Sequence, residues 1–277
     1  MVQRRFAQVD VFTSVPYYGN PLAVVLDGDG LTDQQLQRFA NWTNLSETTF
    51  LLPPTDPSAD YLVRIFTASQ ELPFAGHPTL GSAHVWLSYG GAPKQDGVVV
   101  QECRAGLVEI RRTDDGLAFA APPLTQAGTP GEADVVSAAA ALGIDRAEIL
   151  DAQWAVNGPR WLAVRLASAQ AVLAVVPQPS DLDVGLIGFH PSGSECLYEV
   201  RAFFPANGLP VEDPVTGSLN AGIAQWLVGS GEAVPPYVAA QGTALGRAGR
   251  VHVSRTGDGR IWIGGTVTTC IHGTVEL

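Results

Sequence analysis

The sequence predicts an α+β fold made of two similar modules, because the 277-residue chain repeats itself in order at an offset near half its length. Val63-Arg64-Ile65-Phe66 leads to Leu72-Pro73, and Val200-Arg201-Ala202-Phe203 leads by the same interval to Leu209-Pro210, an offset of 137. Gly106-Leu107-Val108 with Arg112-Thr113-Asp114-Asp115-Gly116 is echoed by Gly249-Arg250-Val251 with Arg255-Thr256-Gly257-Asp258-Gly259, at 143. A looser echo joins Asn20-Pro21-Leu22-Ala23-Val24 to Asn157 and Leu162-Ala163-Val164, at 137 and 140. The modules are expected at 1–121 and 122–277, with the last strand able to return to the first.

Phe6 to Phe12 alternates as a half-buried strand does, and Leu22 to Leu26 is a second strand closed by Asp27-Gly28-Asp29-Gly30. Thr32 opens a helix with Gln35 as its capping-box partner and Leu36, Phe39 and Ala40 as its apolar stripe. Strands follow at 48–52 and 61–66. Residues 78–89 and 218–228 are helices apolar on most sides, which predicts burial on several sides. Gly90 and Gly91 close the first of them, as Gly229 and Gly231 close the second. Hairpins at 107–111/117–121 and 251–254/261–264 complete each module through Asp-Gly turns. Each module thus reads as a curved, mainly antiparallel sheet around a central helix. The Pro- and Gly-rich stretch 121–132 is the expected joint, and 133–142 a surface helix ending at Gly143.

Composition narrows the function. With 46% apolar residues the chain can fill two cores, and a net charge of −11 without a basic cluster argues against nucleic acid or anionic membrane as partner. No apolar run of about 18 residues and no leader-like h-region is present, so a cytoplasmic protein is expected. Cys103, Cys196 and Cys270 lie far apart without C-x-x-C spacing, which predicts buried thiols rather than a disulfide or zinc site.

Both buried helices are entered through turns rich in Pro, Gly, Ser and Thr: Pro73-Phe74-Ala75-Gly76-His77-Pro78-Thr79 and Pro210-Val211-Glu212-Asp213-Pro214-Val215-Thr216-Gly217-Ser218. Each presents backbone N–H groups at a positive dipole end, so each is a candidate anion site. The turns differ in offering His77 and Asp213, which facing one another across a cleft could hold a polar group and relay a proton. His77 and His84 lie two helical turns apart, about 10 Å, too far to chelate one metal ion. Glu47, in Asn44-Leu45-Ser46-Glu47-Thr48-Thr49-Phe50, has no evident match in the second half. Apolar surroundings would raise its pKa, which suits a group that takes and gives a proton.

At these residues the chain resembles the PhzF-like family, the phenazine-biosynthesis isomerase relatives within the diaminopimelate-epimerase-like fold. The resemblance runs nearly end to end: Val9 to Phe12, Gly19 to Val25, Asn44 to Phe50, Phe74 to Gly81, Glu212 to Ser218, Gln241-Gly242 and Gly246-Arg247 with Gly249. It implies a duplicated fold with the active site between two like domains, no metal or organic cofactor, a small anionic substrate, and a homodimer, since members of the family often dimerise. It further implies Glu47 as general acid/base, His77 and Asp213 as its polar partners, and Ser46, Gly76, Gly217 and Ser218 as substrate-contacting positions. The related epimerases place two cysteines at the helix entries, where this chain has none. Many relatives follow the second Gly-Ser with Ala-His; Leu219-Asn220 stands here, an expected change in the cleft wall. The implied activity is a cofactor-independent isomerisation, with an amino- or hydroxy-acid epimerase, or a non-catalytic binder of the same fold, as alternatives.

Overall fold

The computed structural model describes residues 2–206 and 208–277. The chain forms two compact units, one reaching to Ala120 and completed by Gly264–Leu277, the other spanning Ala121–Ile263. Gly264–Leu277, the last strand included, thus belongs with the first unit.

In the first unit β1 (Gln3–Val11) pairs antiparallel with β2 (Asn20–Val25). Helix α1 (Asp33–Thr43) then carries the chain to β3 (Glu47–Leu52), parallel to β2. Strands β4 (Tyr61–Phe66) and the short β5 (Glu71–Leu72) add antiparallel. The chain enters α2 (Gly76–Ser88) and returns as β6 (Val98–Cys103), parallel to β4, followed by antiparallel β7 (Gly106–Thr113) and β8 (Gly116–Ala120). The sheet wraps α2, which packs on β1, β2, β3, β6 and β8. Leu80, Ala83 and Val85 are buried on different sides of it, so its first turns are enclosed on several sides, while Ser88 at its end is exposed. Leu36, Phe39 and Ala40 of α1 form a separate core with Val25, Phe50 and Phe66. The α1 start is fixed by the expected capping box: Gln35 N donates to Thr32 Oγ1 at 3.3 Å, and Thr32 N donates to Gln35 Oε1 at 2.9 Å.

The second unit opens with β9 (Gln126–Gly128), α3 (Glu132–Leu142) and β10 (Asp151–Val156). The expected joint is thus partly a strand, since Gln126, Ala127 and Gly128 pair with β10. The expected surface helix is instead a core element, because Val135, Ala138 and Leu142 bury against Trp154, Leu162 and Leu186. From β10 the first unit's path recurs: antiparallel β11 (Arg160–Arg165), helix α4 (Ala169–Ala174), and β12 (Val184–Phe189), parallel to β11. Antiparallel β13 (Tyr198–Ala206) and β14 (Leu209–Asp213) lead into α5 (Gly217–Ser230), around which lie β10, β11 and the later strand at Gly249–Arg255. Strand β15 (Tyr237–Gln241) runs parallel to β13 and pairs with β16 (Gly249–Arg255), before β17 (Ile261–Gly265). The last strand, β18 (Val267–Glu276), lies antiparallel to β1 in the first unit. Gly229 falls inside α5, which ends at Gly231 in a left-handed conformation (φ +79°).

The ladders fix which residues of the two units correspond. Phe66 faces Glu71 and Thr48, as Phe203 faces Glu212 and Val184. The match includes an ion pair. Arg64 Nε and Nη2 donate to Glu71 at 2.8 and 2.7 Å, and Arg201 Nε and Nη2 donate to Glu212 at 3.0 and 2.8 Å. Because Thr48 lies beside Ala23 and Val184 beside Leu162, Leu162 matches Ala23, one residue from the sequence echo. A one-residue slip turns every side chain over. Leu22 accordingly lies against Gly81 of α2, whereas Leu162 joins the α3 core.

Candidate active site

The first cluster forms where β2, β3 and α2 begin. Asn44 ends α1 in the left-handed conformation (φ +54°), one that asparagine tolerates, and the chain turns through Ser46 into Glu47 at the head of β3. Glu47 is half-buried, with its side chain 15% exposed. Its Oε2 stands 3.2 Å from Nε2 of His77, the second residue of α2, whose ring is buried. Burial pushes the His77 pKa down to about 3, so the imidazole is neutral at physiological pH. On the other side of the ring, Nδ1 is 3.3 Å from the amide nitrogen of buried Asn20. Beneath it, Ser82 Oγ donates to Thr49 Oγ1 at 2.9 Å, and Gln101 Nε2 donates to Thr79 Oγ1 at 3.0 Å. The buried hydroxyls of the helix are thereby satisfied and its start is held rigidly.

The second cluster forms at the start of α5. Asp213, the last residue of β14, accepts from Thr216 Oγ1 at 2.5 Å, and its carbonyl accepts from Gln241 Nε2 at 3.1 Å. Gln241 also accepts from Thr216 N at 2.9 Å and Asn220 Nδ2 at 2.8 Å. Ser218 Oγ accepts from Trp161 Nε1 at 3.0 Å, while its carbonyl accepts from Asn157 Nδ2 at 2.9 Å. Neither Ala75 nor Thr216, the two N-caps, uses its side chain to cap its helix. Backbone amides of the first turns, at Gly76 and at Gly217 and Ser218, lie at the positive dipole ends.

Within the first unit, then, Glu47 and His77 come together with Ser46 and Gly76 next in sequence; Asp213, Gly217 and Ser218 share the second entry. Two sequence expectations change. His77 and Asp213 are not equivalent: Asp213 pairs with Ala202 as Leu72 pairs with Ile65, so Asp213 matches Leu72, and His77, second in its helix, matches Ser218. Nor does Glu47 lack a match. The residue before Val184 is Asp183, whose carboxyl accepts from the Arg160 backbone and is pushed up by burial. Leu219-Asn220 is explained by local packing: both residues are buried, Leu219 against the bare Cα of Gly185 and Asn220 on Gln241 and Thr216 O. Pro214 precedes the N-cap of α5 rather than entering its first turn, as Pro78 does in α2.

Sequence reasoning missed Asn20, Asn157, Trp161, Thr216 and Gln241 as parts of these sites. The signal was present for the two asparagines, which appear in both copies and each reach the second residue of the neighbouring helix. The thiols of Cys103, Cys196 and Cys270 are all pushed up, chiefly by burial, which disfavours the thiolate a nucleophilic or acid/base cysteine needs. Among the described residues no group of three or more His, Cys, Asp or Glu is placed to hold a metal ion, and no helix is long and apolar enough to cross a membrane.

The chain aligns end to end with known proteins. It is 35% identical to antisense-enhancing sequence 1 of Schizosaccharomyces pombe, over 99% of each chain. It is 34% identical to a trans-2,3-dihydro-3-hydroxyanthranilate isomerase of Pseudomonas fluorescens, over 97% of this chain and 98% of that protein. In structure it is similar to a phenazine biosynthesis protein of the PhzF family from Bacillus anthracis, with a TM-score of 0.83 at 21% identity over the whole of both chains. The duplicated sheet-around-helix architecture is that of the diaminopimelate-epimerase-like fold, and the protein is an isomerase. Residues 9–273 match the phenazine biosynthesis-like protein family, PhzC-PhzF, and the chain belongs to it.

Proposed function

We propose that this isomerase moves a proton within a small anionic metabolite without a cofactor, with Glu47 as the general acid/base. The observation that carries the proposal is the placing of Glu47 Oε2 3.2 Å from a buried, neutral imidazole at the uncapped start of α2. Glu47 as carboxylate takes a proton from an acidic C–H of the substrate, and as carboxylic acid returns it to another carbon, so that no net proton is gained or lost. His77, with a pKa depressed to about 3, acts as a neutral hydrogen-bonding group that steadies the carboxylate rather than as the base. The backbone amides at Gly76, Gly217 and Ser218, with Ser46, serve the substrate's negative charge, which favours an enol- or enolate-like intermediate. Asp213, the last residue of β14, is proposed as a further polar group for the substrate. The Pseudomonas fluorescens relative, named for a cyclic hydroxy-amino acid, supports a substrate of that class.

A panel of cyclic and linear carboxylates is screened by thermal shift, and hits are incubated in deuterated water. The expected result is deuterium uptake into a hit. Glu47→Gln keeps the size of the side chain but removes the proton acceptor, so turnover should fall at least about a hundredfold while ligand affinity changes little. Turnover near the wild-type value in that variant would remove Glu47 from the mechanism, and binding without exchange would reduce the protein to a binder.

A further inference from the structure

Both nitrogens of the His77 ring face protein groups, which makes its tautomer a structural property. Nδ1 lies 3.3 Å from Nδ2 of Asn20, and Nε2 lies 3.2 Å from Oε2 of Glu47. A neutral imidazole carries one N–H, and an amide nitrogen can only donate. With Asn20 donating to Nδ1, the ring proton must sit on Nε2, the nitrogen nearer the Glu47 carboxylate. The opposite tautomer would set N–H against N–H at Asn20 and a lone pair against the carboxylate at Glu47. Asn20 is fully buried at the start of β2, next to Gly19, whose N–H donates to buried Asp10 at 2.9 Å. Its backbone position is set by the ladder to Val11.

We propose that Asn20 is a positioning residue that holds His77 as the Nε2–H tautomer, so that the imidazole stabilises Glu47 as a carboxylate and thereby readies it to accept a proton. The inference rests on the proposed role of Glu47 but concerns a different property. Nε2 has Glu47 as a polar neighbour without a well-aligned hydrogen bond, so its N–H is a donor not yet fully used. Enclosed donors in this condition cost stability and mark functional positions. When Glu47 takes up a proton its attraction for Nε2–H weakens, which favours handing the proton back. In the second unit an amide from a different strand position, Asn157, donates to the carbonyl of Ser218 and sets no titratable group. Among the described residues, only the first copy couples an asparagine to an acid through an imidazole.

The test is nitrogen NMR on full-length protein labelled with 15N-histidine, the five histidines being sorted by the signal lost in His77→Gln. Wild type should show Nε2 protonated and Nδ1 bare at neutral pH. In Asn20→Asp the facing oxygens can only accept, so Nδ1 should become protonated, as the other tautomer or as imidazolium, with the His77 pKa raised by the nearby charge. A protonated Nδ1 in wild type overturns the proposal with no variant needed, and so does an unchanged tautomer in folded Asn20→Asp. Because neither readout uses turnover, the inference and the Glu47 mechanism fail separately: Nε2–H with an active Glu47→Gln variant would sink the mechanism and leave the tautomer assignment standing.

Discussion

Arg201 and Arg64 occupy matched places in the two copies, yet their removal should differ in cost severalfold. Arg201 is 7% exposed and grips Glu212, 9% exposed, through two parallel bonds at 3.0 and 2.8 Å. Its Nη1 also donates to the carbonyls of Val172 and Val175 at the end of α4, at 3.1 and 2.7 Å. Arg201→Met leaves a buried carboxylate with its fork removed and frees two buried carbonyls, a loss of roughly 3–5 kcal/mol by the behaviour of broken buried ion pairs. Arg64 is 22% exposed, and its partner Glu71 keeps Arg104 Nη1 at 2.9 Å when Arg64 is lost. Arg64→Met should therefore cost only about 1–2 kcal/mol, between an exposed ion pair and a hydrogen bond to a charged group. Urea unfolding followed by tryptophan fluorescence reads both variants. Arg201→Met/Glu212→Leu should recover most of the loss, because the penalty lies in the stranded charge rather than in the missing contact. Equal costs for the two single variants, or a double variant no better than Arg201→Met, would refute the reasoning.

Two further outcomes follow from close packing and from buried charge. The sixth residue of each central helix is a glycine, and a Cβ at Gly222 would meet Ala155 Cβ at 2.6 Å, whereas one at Gly81 would meet the movable end of Leu22 at 2.5 Å. Gly222→Ala should lower stability by about 1–3 kcal/mol in thermal unfolding, despite better helix propensity, and Gly81→Ala should cost less. His77 takes up its proton at about pH 3 when folded and near pH 6.5 when unfolded. Between those values the unfolded chain binds more protons, so this group's share of stability is whole above pH 6.5 and falls toward pH 3 by roughly 1.4 kcal/mol per unit. His77→Gln should flatten that fall in urea titrations between pH 6.5 and 4, leaving the slope due to His84, which burial shifts the same way. An unchanged slope would mean that His77 is not buried in its neutral form.

What was legible in the sequence was whatever depends on local pattern. The capping box at Thr32, the strand at Tyr61–Phe66 and the two helices apolar on most sides stand where periodicity and cap chemistry put them. Matching between the copies was legible only where side chains were alike. The Val-Arg-x-Phe match survives because Arg and Glu form the same fork in both units, but the Leu-Ala-Val echo slips by one residue. Face in a strand depends on register, and register is set by partners distant in sequence. The same limit hid the match of His77 to Ser218 and of Glu47 to Asp183. Proline-rich composition suggested a bare joint at 121–132, yet three of its residues found free edge positions on β10. Asn20 went unassigned because its echo in Asn157 does not say which side chain it meets, and that contact lies 57 residues away.

The matched positions also say why one copy would carry the proton chemistry. Each central helix has its fourth residue tied to a buried glutamine, Thr79 to Gln101 and Asn220 to Gln241, and each has a glycine at its sixth. Those devices hold the helix start and are common to both units. Each unit also has a carboxyl at the matched strand position, Glu47 or Asp183. An acid at that place is therefore not what sets the copies apart. The difference is the second helical residue. In the first unit it is an imidazole whose two nitrogens reach an amide and the acid; in the second it is a hydroxyl that accepts from Trp161. A hydroxyl so engaged can hold a substrate group but has no second ring nitrogen through which a neighbour can set its proton. On the proposed reading the first unit moves the proton, a role that follows from one residue at one helix start.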